Sequence, residues 1–261
     1  MSSIRRSVQV MELLARKSPL GVRAIAAQLE LPLGSVHRLL LDFEEGGIVE
    51  RTAEDKWELS FKLLEITGLQ LDRIHFPALC RPFAEKIAEA TRETVNVNVL
   101  NGLHGVCVDK VRGNENMQLD MRIGSLGSLH YGGAGKAMLA FLNEADQRRV
   151  IDGPLERLTP KTLTDRAALR RELKRIRDRG YSIDDQEVVI GVYCVSVPIL
   201  DAQSRPVGAM SVTGPTPKAP GPMIMSIVGM LNEACGHVSR KLGYRGEYPL
   251  GEAVAPSRRR A

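Results

Sequence analysis

Cysteine is scarce in this 261-residue chain, and no two cysteines form a C-x-x-C pair. The four are Cys80, Cys107, Cys194 and Cys235. Isolated cysteines favour neither a disulfide framework nor a structural zinc site. We therefore predict a reducing, cytoplasmic location and no bound metal.

The chain also lacks any run of about 18 consecutive apolar residues, the length that a membrane-spanning helix requires. Residues 1–6 lead into a mixed amphipathic stretch rather than the apolar centre of a signal peptide. We therefore expect no membrane partner. Hydrophobic residues make up 43% of the chain and charged residues 26%, which is enough for a core and a soluble surface. The formal net charge of +5 is compatible with a nucleic-acid partner without requiring one.

The first sixty residues contain three short helical patterns followed by a hairpin pattern. Apolar residues recur three and four positions apart in each helix. They are Ile4, Val8, Met11 and Leu14, then Val22, Ile25, Ala26 and Leu29, then Val36, Leu39, Leu40 and Phe43. Gly46-Gly47 ends the third helix, and two short strands at 48–52 and 56–59 flank a polar turn. This order predicts a winged helix-turn-helix over residues 1–60.

A connecting helix is predicted next, over residues 61–75. It carries more apolar residues than a solvated tether needs: Leu63, Leu64, Ile66, Leu69 and Leu71. Two explanations fit equally well. The helix packs against its own domain, or it forms a dimer contact.

From residue 76 to residue 245 the pattern is mixed. Helices are predicted at 77–92, from 132 through Phe141, around residues 169–176 with an end at Gly180, and at 222–242. Strands are predicted at 94–100, 104–111, 117–123, 181–186, 192–200 and 207–213. Runs of strands flanked by helices predict an antiparallel sheet, so the fold class is α+β. We expect the tail, residues 246–261, to be disordered.

Five sequence blocks resemble the IclR (isocitrate-lyase regulator) family of transcription factors. They are residues 31–40 (LPLGSVHRLL), 129–140 (LHYGGAGKAMLA), 179–185 (RGYSIDD), 191–198 (GVYCVSVP) and 207–215 (VGAMSVTGP). The resemblance implies a winged helix-turn-helix joined by a helical linker to an α/β, GAF-like effector-binding domain. It also implies a homodimer or a tetramer of such chains.

The chain departs from the family pattern at two places. Leu33-Gly34 stands where the family usually has Lys-Ser, which puts the usual phosphate contacts of the third helix in doubt. Tyr131 is bulkier than the common residue, and Gly127 replaces a larger apolar one. These two changes leave the pocket volume and the ligand open.

The third helix carries the predicted DNA-reading residues. In a helix-turn-helix, the N-terminal part of that helix enters the major groove, where Arg38 can form a bidentate contact with guanine. Ser35 and His37 can donate to bases or phosphates. Arg23 and Arg51 are predicted phosphate contacts, which position the protein without reading sequence. Any one of them, taken alone, could equally be an ordinary solvated residue.

The resemblance implies an effector site formed by Gly133, Ala134, Asp184, Cys194, Ser211 and Thr213. The N–H groups and dipole at a helix start favour a carboxylate or carbonyl oxygen, and glycine there would let the ligand approach closely. Ser211 and Thr213 lie two apart on a strand, so both hydroxyls face one side. Asp184 can accept from a ligand hydroxyl, and Cys194 forms a small polarizable wall. Taken alone, Cys194 could be core and Asp184 part of a turn.

We therefore predict a ligand-responsive repressor or activator of a catabolic operon, sensing a small organic acid, aldehyde or aromatic metabolite. Its partners are double-stranded operator DNA and a second copy of the chain, because paired half-sites lie about 34 Å apart. One alternative is that the DNA-binding domain has lost specificity through Leu33-Gly34 and serves only protein contacts.

A second alternative is a thiol-dependent enzyme using Cys107 or Cys194. His104 and Asp109 lie near Cys107 in sequence, but strand geometry does not bring the three into a triad. The segment GGAGK at 132–136 is not a P-loop, because His130 and Ala137 occupy positions that need glycine and Ser/Thr. We predict no enzymatic activity and no cofactor.

Overall fold

The computed structural model describes residues 3–73, 75–113, 122–216 and 220–250. The chain divides into two compact units, Met1–His75 and Phe76–Ala261. In the described ranges, no helix combines the length and the apolar character needed to cross a bilayer.

The first unit contains the three predicted helices and the predicted hairpin. The elements are α1 (Ser3–Lys17), α2 (Val22–Leu29), α3 (Leu33–Glu45), β1 (Val49–Arg51) and β2 (Trp57–Leu59). The two strands pair antiparallel. Glu30 ends α2 in the left-handed conformation, and Pro32 precedes the first residue of α3. This short turn between α2 and α3 is the helix-turn-helix connection, and the winged arrangement is confirmed.

One part of the predicted core of this unit is wrong. Ile4 and Val8 were expected on the buried stripe of α1, but they are 78% and 43% exposed. Val10 and Leu14, four residues apart, form the buried contact instead. The reason is that α1 lies against α2 and β2, so only one narrow face of the helix is covered.

The connecting helix, α4, spans Lys62–Arg73. Leu64 and Ile66 are exposed, so they do not pack against their own domain. That explanation fails for these two residues, and the dimer contact stays a prediction. The side chains of Leu69 and Leu71 lie outside the described residues.

The second unit is built on one antiparallel sheet in the order β5-β4-β3-β8-β7-β6. Its elements are α5 (His75–Thr91), β3 (Thr94–Asn101), β4 (His104–Val111), β5 (Leu126–Ser128), α6 (Gly133–Phe141), α7 (Glu144–Asp152), α8 (Arg166–Arg179), β6 (Ser182–Asp185), β7 (Val192–Leu200), β8 (Pro206–Pro215) and α9 (Pro220–Lys241). The predicted antiparallel sheet is confirmed.

Helices cover both faces of this sheet. Val95, Val97 and Met210 pack with α5 and α9 on one side. On the other side, α6 and α8 form a second core that includes Ala209. Because side chains alternate between the faces, Asn96, Asn98 and Ser211 point toward the α6 side. All nine residues of β7 are buried for the same reason.

Two predictions for this unit need correction, and one helix is new. Of the strand expected at 117–123, residues 117–121 lie outside the described residues, 122–123 form no strand, and β5 follows at 126. Helix α7 was not predicted. The tail is not disordered at 246–250, because Tyr248 is half-buried and its hydroxyl donates to the Pro198 carbonyl at 2.8 Å. Residues 251–261 lie outside the described ones.

Candidate functional site

A cavity of 330 Å³ lies between the sheet and the first turn of α6. Its lining includes every residue predicted from the sequence for effector binding: Gly133, Ala134, Asp184, Cys194, Ser211 and Thr213. These residues come from one helix and three strands, so the fold brings together positions that are far apart in sequence.

Strand register explains why the polar side chains meet. Asp184 on β6 stands opposite Cys194 on β7, which stands opposite Thr213 on β8. Ser211 lies two residues from Thr213 and faces the same side. Asn96 on β3 donates its amide N–H to the Thr213 hydroxyl at 3.2 Å. The result is a polar floor on an otherwise apolar cavity.

The start of α6 supplies hydrogen-bond donors to this cavity. Gly132, in the left-handed region at φ 71°, turns the chain into the helix. Its N–H donates to the Glu187 carboxylate at 3.3 Å. In the described part of the chain, the N–H groups of Gly133 and Ala134 have no acceptor. Such unpaired N–H groups, with the positive end of the helix dipole, attract a negatively charged oxygen.

The structure gives Gly133 a packing role that the sequence did not indicate. A Cβ at this position would lie 2.8 Å from the Cys194 sulfur and would also collide with the Ser196 hydroxyl. Glycine is therefore required because α6 packs closely on β7. Close approach of a ligand to this glycine stays a prediction.

A buried charged cluster borders the cavity. Lys136 is only 1% exposed; it forms an ion pair with Glu187 and donates to the Ile183 carbonyl at 2.8 Å. The Glu187 N–H donates to the Asp184 carboxylate at 2.6 Å. These bonds fix the segment after β6, which places Val188 in the cavity wall. Lys136 therefore stabilises the wall of the cavity.

Burial governs the ionisation of the carboxyl groups in this cluster. It raises the pKa of Asp184 to about 6, although the Glu187 N–H and Lys136 oppose the shift. Burial also raises the pKa of Glu187, again against the opposing effect of Lys136. Asp184 consequently changes its charge near neutral pH inside the cavity.

Sequence reasoning missed several cavity residues, including Asn98, Gly105, Met138, Leu158 and Val188. Of these, only Asn98 could have been identified from the sequence, because it is an amide in a strand whose polar and apolar residues alternate. The two departures from the family pattern, Gly127 and Tyr131, both line the cavity. A Cβ at Gly127 would touch the Tyr131 ring at 3.9 Å, so the larger ring fills space that the glycine leaves.

The predicted DNA-reading side chains lie on the surface of the first unit. Arg23, His37 and Arg38 are exposed, and Ser35 is half-buried. Within the described ranges, the side chains of these four residues form no hydrogen bond or ion pair. They are available to an external partner.

Arg51 differs from the other predicted DNA contacts. Its guanidinium forms ion pairs with Glu44 at 3.2 Å and with Asp55 at 2.8 Å, and lies over the Trp57 ring at 4.3 Å. These contacts connect the wing to α3. A phosphate would have to compete with two carboxylates, so the DNA contact of Arg51 stays a prediction.

A groove between α1 and α3 adds a residue that the sequence did not single out. Arg6 and Ser7 of α1 line it together with Ser35 and Arg38 of α3. The Arg6 Nε–H is buried and has no hydrogen-bond partner. The signal in the sequence was the excess of basic residues before residue 42.

A winged helix-turn-helix followed by a sheet domain with a polar cavity defines a class of transcription regulators. Two family models match the chain: the IclR helix-turn-helix domain over residues 3–53 and the bacterial transcriptional regulator IclR C-terminal domain over residues 69–240. The chain belongs to the IclR family of HTH-type transcriptional regulators.

Individual relatives agree with this assignment. The chain is 31% identical over 216 residues to the HTH-type transcriptional regulator BhcR of Paracoccus denitrificans, covering 82% of this chain and 77% of the relative. The crystal structure of the Thermotoga maritima IclR is 30% identical, with a TM-score of 0.79, and covers 92% of this chain and 98% of that one. An IclR homologue from Microbacterium hydrocarbonoxydans, complexed with 4-hydroxybenzoate, has the same fold, with a TM-score of 0.80 at 24% identity over 92% and 99% of the two chains.

Proposed function

We propose that a small organic effector binds the cavity under α6 and changes the affinity of the first unit for operator DNA. The observation that supports this most directly is the convergence of the predicted effector residues on one cavity. An effector shifts the equilibrium between a state that binds the operator and a state that does not only if its affinity for the two states differs. The direction of the change defines a repressor or an activator.

The chemistry of the cavity favours an acid or an aldehyde with an apolar body. Gly133 and Ala134 offer N–H groups, and Ser211 and Thr213 offer hydroxyls, to a carboxylate or carbonyl oxygen. Apolar side chains such as Met138 surround the rest of the ligand. A homologue of the same fold was crystallised with 4-hydroxybenzoate, which supports an aromatic acid as one member of this class.

A homodimer or a tetramer is part of the proposal. Two recognition helices that bind one face of DNA must match half-sites about 34 Å apart. The exposed Leu64 and Ile66 on α4 support a contact between copies of the chain. Because the partner is operator DNA, the proposed location is the cytoplasm.

The thiol-enzyme alternative is disfavoured by the cysteines themselves. Burial raises the pKa of the Cys194 thiol, and it also raises the pKa of the Cys107 thiol. A nucleophilic cysteine needs the opposite shift, since the thiolate is the reactive form. We therefore propose that the chain binds its effector without converting it.

Arg38→Ala tests the proposed DNA-reading helix. We expect specific operator binding to weaken by about 1–3 kcal/mol, because a bidentate base contact is lost. Gel-shift titration with a selected operator and with random DNA measures the specific and the non-specific affinity. Arg23→Ala is the control; it should weaken both DNAs alike and lower the salt dependence. Unchanged specific affinity of Arg38→Ala would remove this residue from the base-reading set.

Effector affinity should depend on pH through Asp184. Above its pKa of about 6, Asp184 is ionised and repels a bound carboxylate; below it, the neutral side chain does not. A carboxylate effector should therefore bind more tightly as pH falls from about 8 to about 5. For each unit by which the bound effector raises the pKa of Asp184, its affinity should increase by up to roughly tenfold over this pH range. Isothermal titration calorimetry of wild type and Asp184→Asn checks this. The effector affinity of the variant should not change with pH over this range. If it changes as steeply as that of the wild type, Asp184 is not the source of the pH dependence.

A further inference from the structure

We propose that Asn98 selects the effector, by a hydrogen bond to a second polar group of the ligand that lies away from its acid group. This inference rests on the proposed function of the cavity. It narrows the effector from organic acids in general to acids that carry a hydroxyl or a carbonyl at a distance from the carboxylate.

The side chain of Asn98 is buried without a partner. The residue is only 4% exposed, and it lines the cavity from β3. Its Nδ2 atom has no hydrogen-bond partner, and in the described ranges the amide makes no side-chain hydrogen bond at all. Buried amides are almost always hydrogen-bonded in folded proteins, so this one calls for a partner from outside the chain.

The strand register explains why the fold itself supplies no partner. On β8, Asn98 stands opposite Ala209, which has no side-chain hydrogen-bonding group. On β4 it stands opposite Cys107, whose thiol donates to the Asp109 carbonyl instead. The cavity wall also includes Gly105, which has no side chain, and Met138, whose thioether is only a weak hydrogen-bond acceptor. Asn96, two residues earlier on the same face, does have a partner in Thr213. The amide N–H of Asn96 is therefore satisfied although its Oδ1 has no partner, whereas neither side-chain atom of Asn98 is hydrogen-bonded in the described ranges.

The position of Asn98 sets the spacing between the two polar groups of the ligand. Ser211 stands opposite Asn96, so Asn98 is its diagonal neighbour. Diagonal positions on adjacent strands lie about 7–8 Å apart. A ligand that reaches both residues must place its acid group and its second polar group roughly one small ring or a short chain apart. An acid with an unsubstituted apolar tail leaves Asn98 unpaired.

The experiment compares matched pairs of acids: 4-hydroxybenzoate with benzoate, and 4-oxopentanoate with pentanoate. Calorimetry measures each affinity for the full chain and for Asn98→Ala. We expect wild type to prefer the substituted member of at least one pair by about tenfold or more, because a hydrogen bond to a buried amide is gained. Asn98→Ala should lose this preference and bind the unsubstituted acid as well as wild type does.

Thermal unfolding without ligand separates selection from a structural role. Asn98→Ala should keep or raise the Tm, because the variant removes an unpaired buried amide. Gln147→Ala is the matched control outside the cavity. Gln147 is a buried amide that donates to the carbonyls of Ala140 and Leu142, so its loss should lower the Tm and leave acid selectivity unchanged.

The outcomes distinguish this inference from the proposed function. If wild type binds acids without preference within either pair, or if Asn98→Ala lowers the Tm as Gln147→Ala does, the role of Asn98 is overturned. If no acid of either pair binds at all, the proposal for Asn98 is overturned together with the acid class proposed for the cavity. Lost preference with an unchanged Tm supports the inference.

Discussion

Replacing Lys136 by methionine is expected to lower the free energy of unfolding by about 3–5 kcal/mol, the cost of leaving a buried charge without its partner. Lys136 is the cation of the buried pair with Glu187, and methionine keeps an unbranched chain one atom shorter, without the charge. Because Glu187 also holds the Gly132 N–H, the start of α6 should loosen and effector affinity should fall. Urea unfolding followed by circular dichroism gives the stability change.

Two further variants make the Lys136 result interpretable. Lys174→Met removes a cation from the exposed pair with Asp178 and should change stability by about 1 kcal/mol or less. The double variant Lys136→Met with Glu187→Leu should recover much of the lost stability, since an apolar pair can replace a buried ion pair. If Lys136→Met lowers the free energy of unfolding no more than Lys174→Met does, the Lys136–Glu187 pair does not stabilise this side of the cavity.

Gly133→Ala should destabilise the second unit by about 1–3 kcal/mol, as overpacking of a tight core does. The added methyl group would meet the sulfur of Cys194 at 2.8 Å and the Ser196 hydroxyl. Helix α6 must then move away from β7, and its N–H groups leave the cavity. We expect effector affinity to fall with stability, measured by calorimetry and by urea unfolding.

The matched control for this variant is Gly229→Ala in α9. A Cβ at Gly229 has no atom within 4 Å, so alanine should be neutral or stabilise the helix by up to about 1 kcal/mol. Adding Ser196→Ala to Gly133→Ala should relieve part of the collision. If Gly133→Ala and Gly229→Ala are equally stable, the packing of α6 on β7 accommodates an added methyl group without loss of stability.

Local patterns predicted the elements of this protein well, because a periodicity of apolar residues depends only on neighbours in sequence. The stripe Val22, Ile25, Ala26 and Leu29 gave α2 correctly. The stripe of α1 failed at Ile4 and Val8, because tertiary packing determines which face of a helix is covered. Helix α7 was missed because its surface is largely charged.

The cavity was predictable only in part. Resemblance and strand alternation identified its polar residues, since Ser211 and Thr213 must share a face. The partner of Lys136 is Glu187, 51 positions away, and no local pattern connects the two. Leu158 and Val188 reach the cavity from segments between helices and strands, where no periodicity marks an inward residue. The packing role of Gly133 also needed coordinates, because close packing on β7 cannot be seen in the sequence.

We propose that the cavity and the predicted DNA-reading helix α3 are coupled. The direct measurement is the affinity of the full chain for a selected operator, with and without a bound acid, at two salt concentrations. We expect salt-sensitive, sequence-specific binding that the acid changes by about 5- to 150-fold, with the operator changing the acid's affinity by the same factor. If the chain binds the acid and its operator affinity is the same with and without it, the cavity and α3 are not coupled.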